Sequence, residues 1–123
     1  MNDKLPTAVA DFFGGSRTAD PDAWARPLAD DALIHDPVGQ PPFTGRVAFC
    51  ERITGFLPHF SRFDGLTPTN AYHGGASVAV HWRATANTAT GRELAWTGIT
   101  VFTLDDHDKI CQLRGYFDPS IFA

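Results

Sequence analysis

Asp36 is the residue of this chain best suited to chemistry. It follows the apolar stretch Ala32-Leu33-Ile34 and His35, and it precedes the turn-forming run Pro37-Val38-Gly39-Gln40-Pro41-Pro42. A carboxylate in poorly hydrated, aromatic surroundings has its pKa raised by desolvation, which brings it toward useful proton transfer near neutral pH. An aspartate before proline can equally cap a turn by accepting backbone N–H bonds, and spacing alone leaves both roles open. His35 adjoins Asp36 but points to the opposite face of a regular strand, so it stands only as a possible second polar group. His81, between Val80 and Trp82, belongs to an outward phase, while His59, His73 and His107 fall at a helix end, a turn and a hairpin tip. No pair of His, Asp or Glu has HxxxH or HExxH spacing, and neither a nucleophile elbow nor a glycine-rich phosphate loop is present. The expectation is therefore no metal, no cofactor, and whatever chemistry one carboxylate can perform.

The elements that must position Asp36 change character near residue 60. Leu5, Val9 and Phe12 recur at helical spacing, with Gly14-Gly15 as an expected stop. Asp20-Pro21 reads as an N-cap followed by proline at the first helical position, with Trp24 and Leu28 on one face before Pro27 bends or ends the helix. Ala32 to Asp36 predicts a short strand. A third helix is expected after Thr44-Gly45, with Val47, Cys50, Ile53 and Leu57 as its stripe beside Phe49, Phe56 and Phe60, and Pro58 at its end. Strands are predicted from about Arg62 to His73, from Ala76 to Ala86, from Glu93 to Leu104 and from Lys109 to Asp118. In the second of these Val78, Val80, Trp82 and Ala84 alternate inward; in the third, Trp96, Gly98, Thr100 and Phe102 share a face. Helices gathered on one side of a curved antiparallel sheet make an α+β cone whose interior suits a ligand.

At 123 residues the chain reads as a single domain over 1–123. A net charge of −4 argues against nucleic acid or an anionic membrane surface as partner, and no apolar run approaches the ~20 residues of a membrane span. Met1 to Phe13 lacks the basic and apolar regions of a secretory leader, and Cys50 and Cys111 show no disulfide or metal spacing. These features predict a cytoplasmic location. Ten Phe, three Trp and two Tyr supply the interior; Trp24, Phe56, Phe60, Trp82, Trp96 and Phe102 are most simply core, and in a cone the core is also the wall of the pocket.

The segment Ala29-Asp30-Asp31-Ala32-Leu33-Ile34-His35-Asp36-Pro37-Val38-Gly39 resembles the signature of bacterial ketosteroid isomerases. The ending Lys109 to Pro119 is similar to the closing strand of their superfamily, which includes nuclear transport factor 2 and the SnoaL-like polyketide cyclases. The resemblance covers nearly the whole chain and implies a cone-shaped NTF2-like fold with about three N-terminal helices. It implies Asp36 as the general base. In the isomerases a tyrosine and a protonated aspartate bind the enolate oxygen; counted without gaps, their positions hold Phe12 and Thr100 here, so neither donor is retained. Thr100 keeps a hydroxyl, Trp82 or Trp96 could offer an indole N–H, and Asp118 falls where cyclase-like members carry an acid. The matched inward phase of the last strand takes Leu113, Gly115 and Phe117, leaving Arg114 and Tyr116 outward. The expected pocket is Phe12, Trp24, Val38, Phe56, Phe60, Val80, Trp82, Trp96, Phe102, Leu113 and Phe117. The expected function is cofactor-free isomerase- or cyclase-like proton transfer on a hydrophobic small molecule, with epoxide opening as a further enzymatic possibility. The alternative is a non-catalytic binder of such a molecule. Members of the family commonly pair through the outer sheet face, which implies a homodimer.

Overall fold

The Asp20 side chain accepts a hydrogen bond of 3.0 Å from the Asp22 backbone N–H, and Pro21 occupies the first helical position. A cap of this kind starts a helix wherever the next residues can turn. Residues 4–123 are described in the computed structural model. They form helices α1 (Thr7–Ser16) and α2 (Pro21–Ala25), strands β1 (Leu28–His35) and β2 (Phe43–Thr44), helix α3 (Arg46–Phe56), and strands β3 (Phe60–Gly74), β4 (Ser77–Thr88), β5 (Glu93–Leu104) and β6 (Ile110–Tyr116). Short 3-10 turns at Leu57–His59 and Pro119–Phe122 follow α3 and β6. None of the described helices is long and apolar enough to cross a membrane. The expectation about the N-terminus falls partly on residues 1–3, which lie outside the described residues.

The six strands form one curled sheet in the order β2-β1-β6-β5-β4-β3. It is mixed rather than antiparallel throughout, because β1 runs parallel to β6. Alternation along a strand reports which face a side chain takes and is silent on the direction of a neighbouring strand. β1 and β6 lie on either side of the whole meander in sequence, so no tight turn obliges them to be antiparallel. The meander β3-β4-β5-β6 is antiparallel as expected, and Val78, Val80, Trp82 and Ala84 of β4 are all buried. β1 begins at Leu28, earlier than the expected Ala32, with a register shift against β6 between Leu28 and Leu33.

Two other expectations are corrected by packing. Gly14-Gly15 does not stop α1, which continues to Ser16. A Cβ on Gly15 would lie 2.5 Å from the Ala23 carbonyl oxygen, so this glycine lets α1 and α2 touch backbone to backbone. The apolar stripe of α3 is also displaced by a residue or two. Val47 is 69% exposed, whereas Phe49 and Ile53 are buried, because the helix turns its i, i+4, i+7 face, ending in Phe56, toward the sheet.

The curl is built where β3 crosses the end of α1. Gly65 adopts φ +80°, and a Cβ there would come within 2.6 Å of Arg17 Cα and Ser16 O. The buried Ser16 hydroxyl accepts from Leu66 N–H at 2.9 Å and donates to Phe13 O at 2.6 Å, tying helix to bulge. The bulged strand bends over the helices, and Phe12, Phe13, Trp24, Phe49 and Phe102 meet edge-on or tilted beneath it.

Gly15→Ala and Gly14→Ala should have opposite effects, read by thermal or denaturant unfolding. A methyl group on Gly14 would meet open space, so alanine at this helical position should stabilise by about 0.5–1 kcal/mol. At Gly15 the clash with the α2 backbone should outweigh that gain and destabilise by about 1–3 kcal/mol.

Candidate active site

Register carries Asp36 into the interior. Ala32 and Ile34 of β1 are buried while Leu33 is exposed, and Asp36 has the same parity as the buried pair. The parallel ladder sets Ile34 against Leu113 and His35 against Arg114, which brings Asp36 over Gly115. The fit is close: a Cβ on Gly115 would lie 2.5 Å from Asp36 Oδ1, and Val38 N–H donates to Gly115 O at 2.7 Å. Glycine at 115 therefore vacates the space that the carboxylate fills. Gly98 does the same on β5, where a Cβ would sit 2.5 Å from Cζ2 of the Trp82 ring.

These side chains border a cavity of about 300 Å³. Phe12, Trp24, Phe49, Leu66, Trp82, Thr100 and Leu113 are its buried walls, Phe56, Phe63, Trp96, Phe117 and Phe122 are half-buried, and the exposed Gln40, Arg52 and Pro119 stand at its rim. Asp36, itself half-buried, is the acid among the described lining residues. Burial pushes its carboxyl up to about 7, and the positive charge of Arg52 offsets only part of that rise. Among the described residues no group lowers it by donating a hydrogen bond. A carboxyl half-ionised near neutrality can accept a proton or donate one at comparable cost.

Of the neutral polar groups, the Thr100 hydroxyl accepts from the Trp82 indole N–H at 2.9 Å, both residues being buried. That bond occupies the Trp82 donor, so the indole is not free for a ligand, and the Thr100 O–H remains able to donate into the cavity. The Trp24 indole N–H is buried without a partner among the described residues.

Other expected site residues lie elsewhere. Asp118 is exposed and caps the last 3-10 turn, accepting from Ser120 N–H at 2.9 Å, a bond that lowers its pKa; it is a cap and not a cavity acid. His35 points away from the cavity, as strand parity requires. Val80 and Phe102 are fully buried outside the lining, Phe102 packing on Phe12 and Phe13 of α1. Val38 belongs to the turn beyond Asp36, and Phe60 packs beside Phe56 and Phe122 outside the lining. Sequence reasoning missed Phe43, Phe49, Arg52, Ile53, Phe63, Leu66 and Phe122. The correct phase of α3 would have found Phe49, Arg52, Ile53 and Phe56 together. Phe122 arrives only because the C-terminal 3-10 turn folds it onto Phe56, Trp96 and Phe117. Among the described residues no cluster of three His, Cys, Asp or Glu side chains could hold a metal ion.

A curled sheet closed by three helices around an aromatic cavity is the architecture of the NTF2-like class. The chain belongs to the SnoaL-like domain family, whose model matches residues 9–113. Among solved structures it is similar to the epoxide hydrolase/cyclase-like enzyme SalBIII, which acts in pyran ring formation in the polyether salinomycin (26% identity, TM-score 0.78, covering 92% of this chain and 89% of that one). It is also similar in fold to a hypothetical protein of ketosteroid isomerase-like fold from Catenulispora acidiphila, solved with trimethylamine (17% identity, TM-score 0.84, 95% and 89% covered). An NTF2-like protein of unknown function from an Exiguobacterium species shares the fold as well (14% identity, TM-score 0.77, 92% and 99% covered). No curated protein matches the chain significantly.

Asp36 also makes stability depend on pH. Its folded pKa of about 7 lies above the ordinary 3.8, so between those values the folded state holds a proton that the unfolded state has lost. Stability must then fall as pH rises from about 4 to 7, by as much as about 4 kcal/mol once the group is ionised. Asp36→Asn removes the buried charge. The variant should match wild type near pH 4 and unfold up to about 10–20 °C higher at pH 8. A constant difference across this range, measured by calorimetry, would contradict a carboxyl whose pKa is raised in the fold.

Proposed function

We propose that the protein is an enzyme of the isomerase or cyclase type, in which Asp36 moves a proton on a hydrophobic small molecule held in the aromatic cavity. The observation that carries this reading is a single, poorly hydrated carboxyl facing an apolar space bounded by Phe12, Trp82, Trp96 and Phe117. In the base direction, the ionised carboxylate removes a proton from carbon next to a carbonyl, and the electron pair passes to the carbonyl oxygen as an enolate. The Thr100 hydroxyl, polarised by the indole bond it accepts, is the candidate donor to that oxygen. Returning the proton to another carbon gives an isomer; attack of the enolate on a second carbonyl of the same molecule gives a ring. In the acid direction, the protonated carboxyl donates to the epoxide oxygen as its C–O bond breaks, an internal hydroxyl oxygen bonds to that carbon, and the hydroxyl proton passes to the resulting carboxylate. The similarity to an enzyme of pyran ring formation supports including this direction. A second reading, binding without turnover, draws on the absence of a phenol or second carboxyl among the described lining residues, since one lost oxyanion donor costs about 10²–10³ in rate.

The test is turnover of β,γ-unsaturated ketones, from monocyclic enones to a 5-ene-3-ketosteroid, and of hydroxy-epoxides, by wild type and Asp36→Asn. Asp36→Asn should lose about 10²–10⁴ in kcat/KM. If Asp36 acts as base, kcat/KM should rise with pH to a plateau above about 7; if as acid, it should fall over the same range. Ligand binding with no turnover on either substrate class would favour the second reading.

The same reading includes a homodimer and a cytoplasmic location. Ile99 and Tyr116, each 43% exposed, pair directly across β5 and β6 on the outer face, and Cys50 and Cys111 are free thiols. Sedimentation should give twice the chain mass for wild type, with Ile99→Lys shifting it toward the monomer; a wild-type monomer at high concentration would refute the dimer.

A further inference from the structure

Proton transfer by Asp36 leaves one charged side chain of the cavity wall unexplained. Arg52 lies on the inward stripe of α3 with Ile53 and Phe56, and is exposed at the rim near Gln40. Its guanidinium carbon stands 3.9 Å from the centroid of the Phe43 ring. A guanidinium stacked in this way keeps its donors in the plane of the group, where their fork matches a carboxylate.

Nothing in the described chain occupies that fork. The ion pairs among the described residues are Arg26–Asp22, Arg46–Asp30 and Arg62–Asp64. Arg52 does not pair with Asp36 either. The two charges influence one another, but no oxygen of Asp36 lies within ion-pair distance of the guanidinium. An exposed arginine that merely covers apolar surface is ordinary. This one instead rests on an aromatic plate at the entrance of an apolar cavity, beside an acid it leaves unpaired.

We infer that Arg52, positioned by Phe43, is an anion subsite that takes a carboxylate of the ligand, so that the substrate is an apolar acid with its ring body in the cavity and its acid group at the rim. The inference rests on the cavity being the ligand site, as proposed above. The cavity, about 300 Å³ and open at its rim, accommodates a compact ring system.

The three tryptophans of the chain all line the cavity, so their fluorescence reports its occupancy. Naphthylacetate, its primary amide and its methyl ester are the probes, titrated into wild type, Arg52→Gln and Arg52→Lys. Wild type should bind the acid at least about tenfold more tightly than the amide or the ester. Arg52→Gln should abolish that preference while still binding the neutral probes, and Arg52→Lys should retain part of it. Added salt should weaken only the acid. Equal binding of acid and amide by wild type, a preference that survives Arg52→Gln, or no binding of any probe would overturn the inference. Those outcomes are separable from failure of the proton-transfer reading, which is decided by turnover in Asp36→Asn.

Discussion

The contact between Asp36 and Gly115 is the constraint on which the site depends. A carboxylate can enter an apolar interior only where a neighbouring strand gives up a side chain, and β6 does so opposite the end of β1. The parallel β1–β6 pairing aligns the two residues, and the Val38 N–H bond to Gly115 O holds the turn against the strand. Burial then sets the acid–base character of Asp36. Desolvation destabilises the ionised form, and with no hydrogen-bond donor among the described residues to compensate, the pKa climbs to about 7. Packing that is unfavourable to the ionised fold is what suits the group to proton transfer.

The aromatic wall follows from the same economy of space. Gly98 lets the Trp82 ring lie against β5, and from there its N–H reaches Thr100. Two inward positions, 98 and 115, hold no side chain and leave room for the Trp82 ring and the Asp36 carboxyl, while the rings of the wall meet edge-on or tilted except for Trp24, which stacks on Phe63. Trp24 contacts Phe12, Phe49 and Phe63 in this network, so the cavity wall and the helix–helix core are one continuous surface. A change in either is felt by the other.

The rim differs in kind from the interior. Arg52, Gln40 and Pro119 are exposed, and Arg52 is the only basic side chain in the described lining. One acid inside and one base at the entrance, unpaired, give the cavity a polarity along its depth that an apolar pocket alone would not have. Such a gradient is suited to orienting a ligand with one polar end.

Much of this was already determined by the sequence. Strand alternation marked the inward faces of β4, β5 and β6, because side-chain parity is a local property of extended chain. The Asp20-Pro21 cap and the position of Asp36 before a turn were legible for the same reason, and the DPVG and closing-strand resemblance pointed to the NTF2-like fold. Tertiary structure decided the rest. The direction of β1 against β6, the role of Gly15 as a helix contact and the true phase of α3 depend on which surfaces meet. The choice between cap and cavity acid is likewise not local. Asp36 and Asp118 both precede a proline at the end of a strand, yet only Asp36 lines the cavity while Asp118 caps a solvent-exposed turn. The difference lies in what packs over each carboxylate, and residues distant in sequence supply that packing.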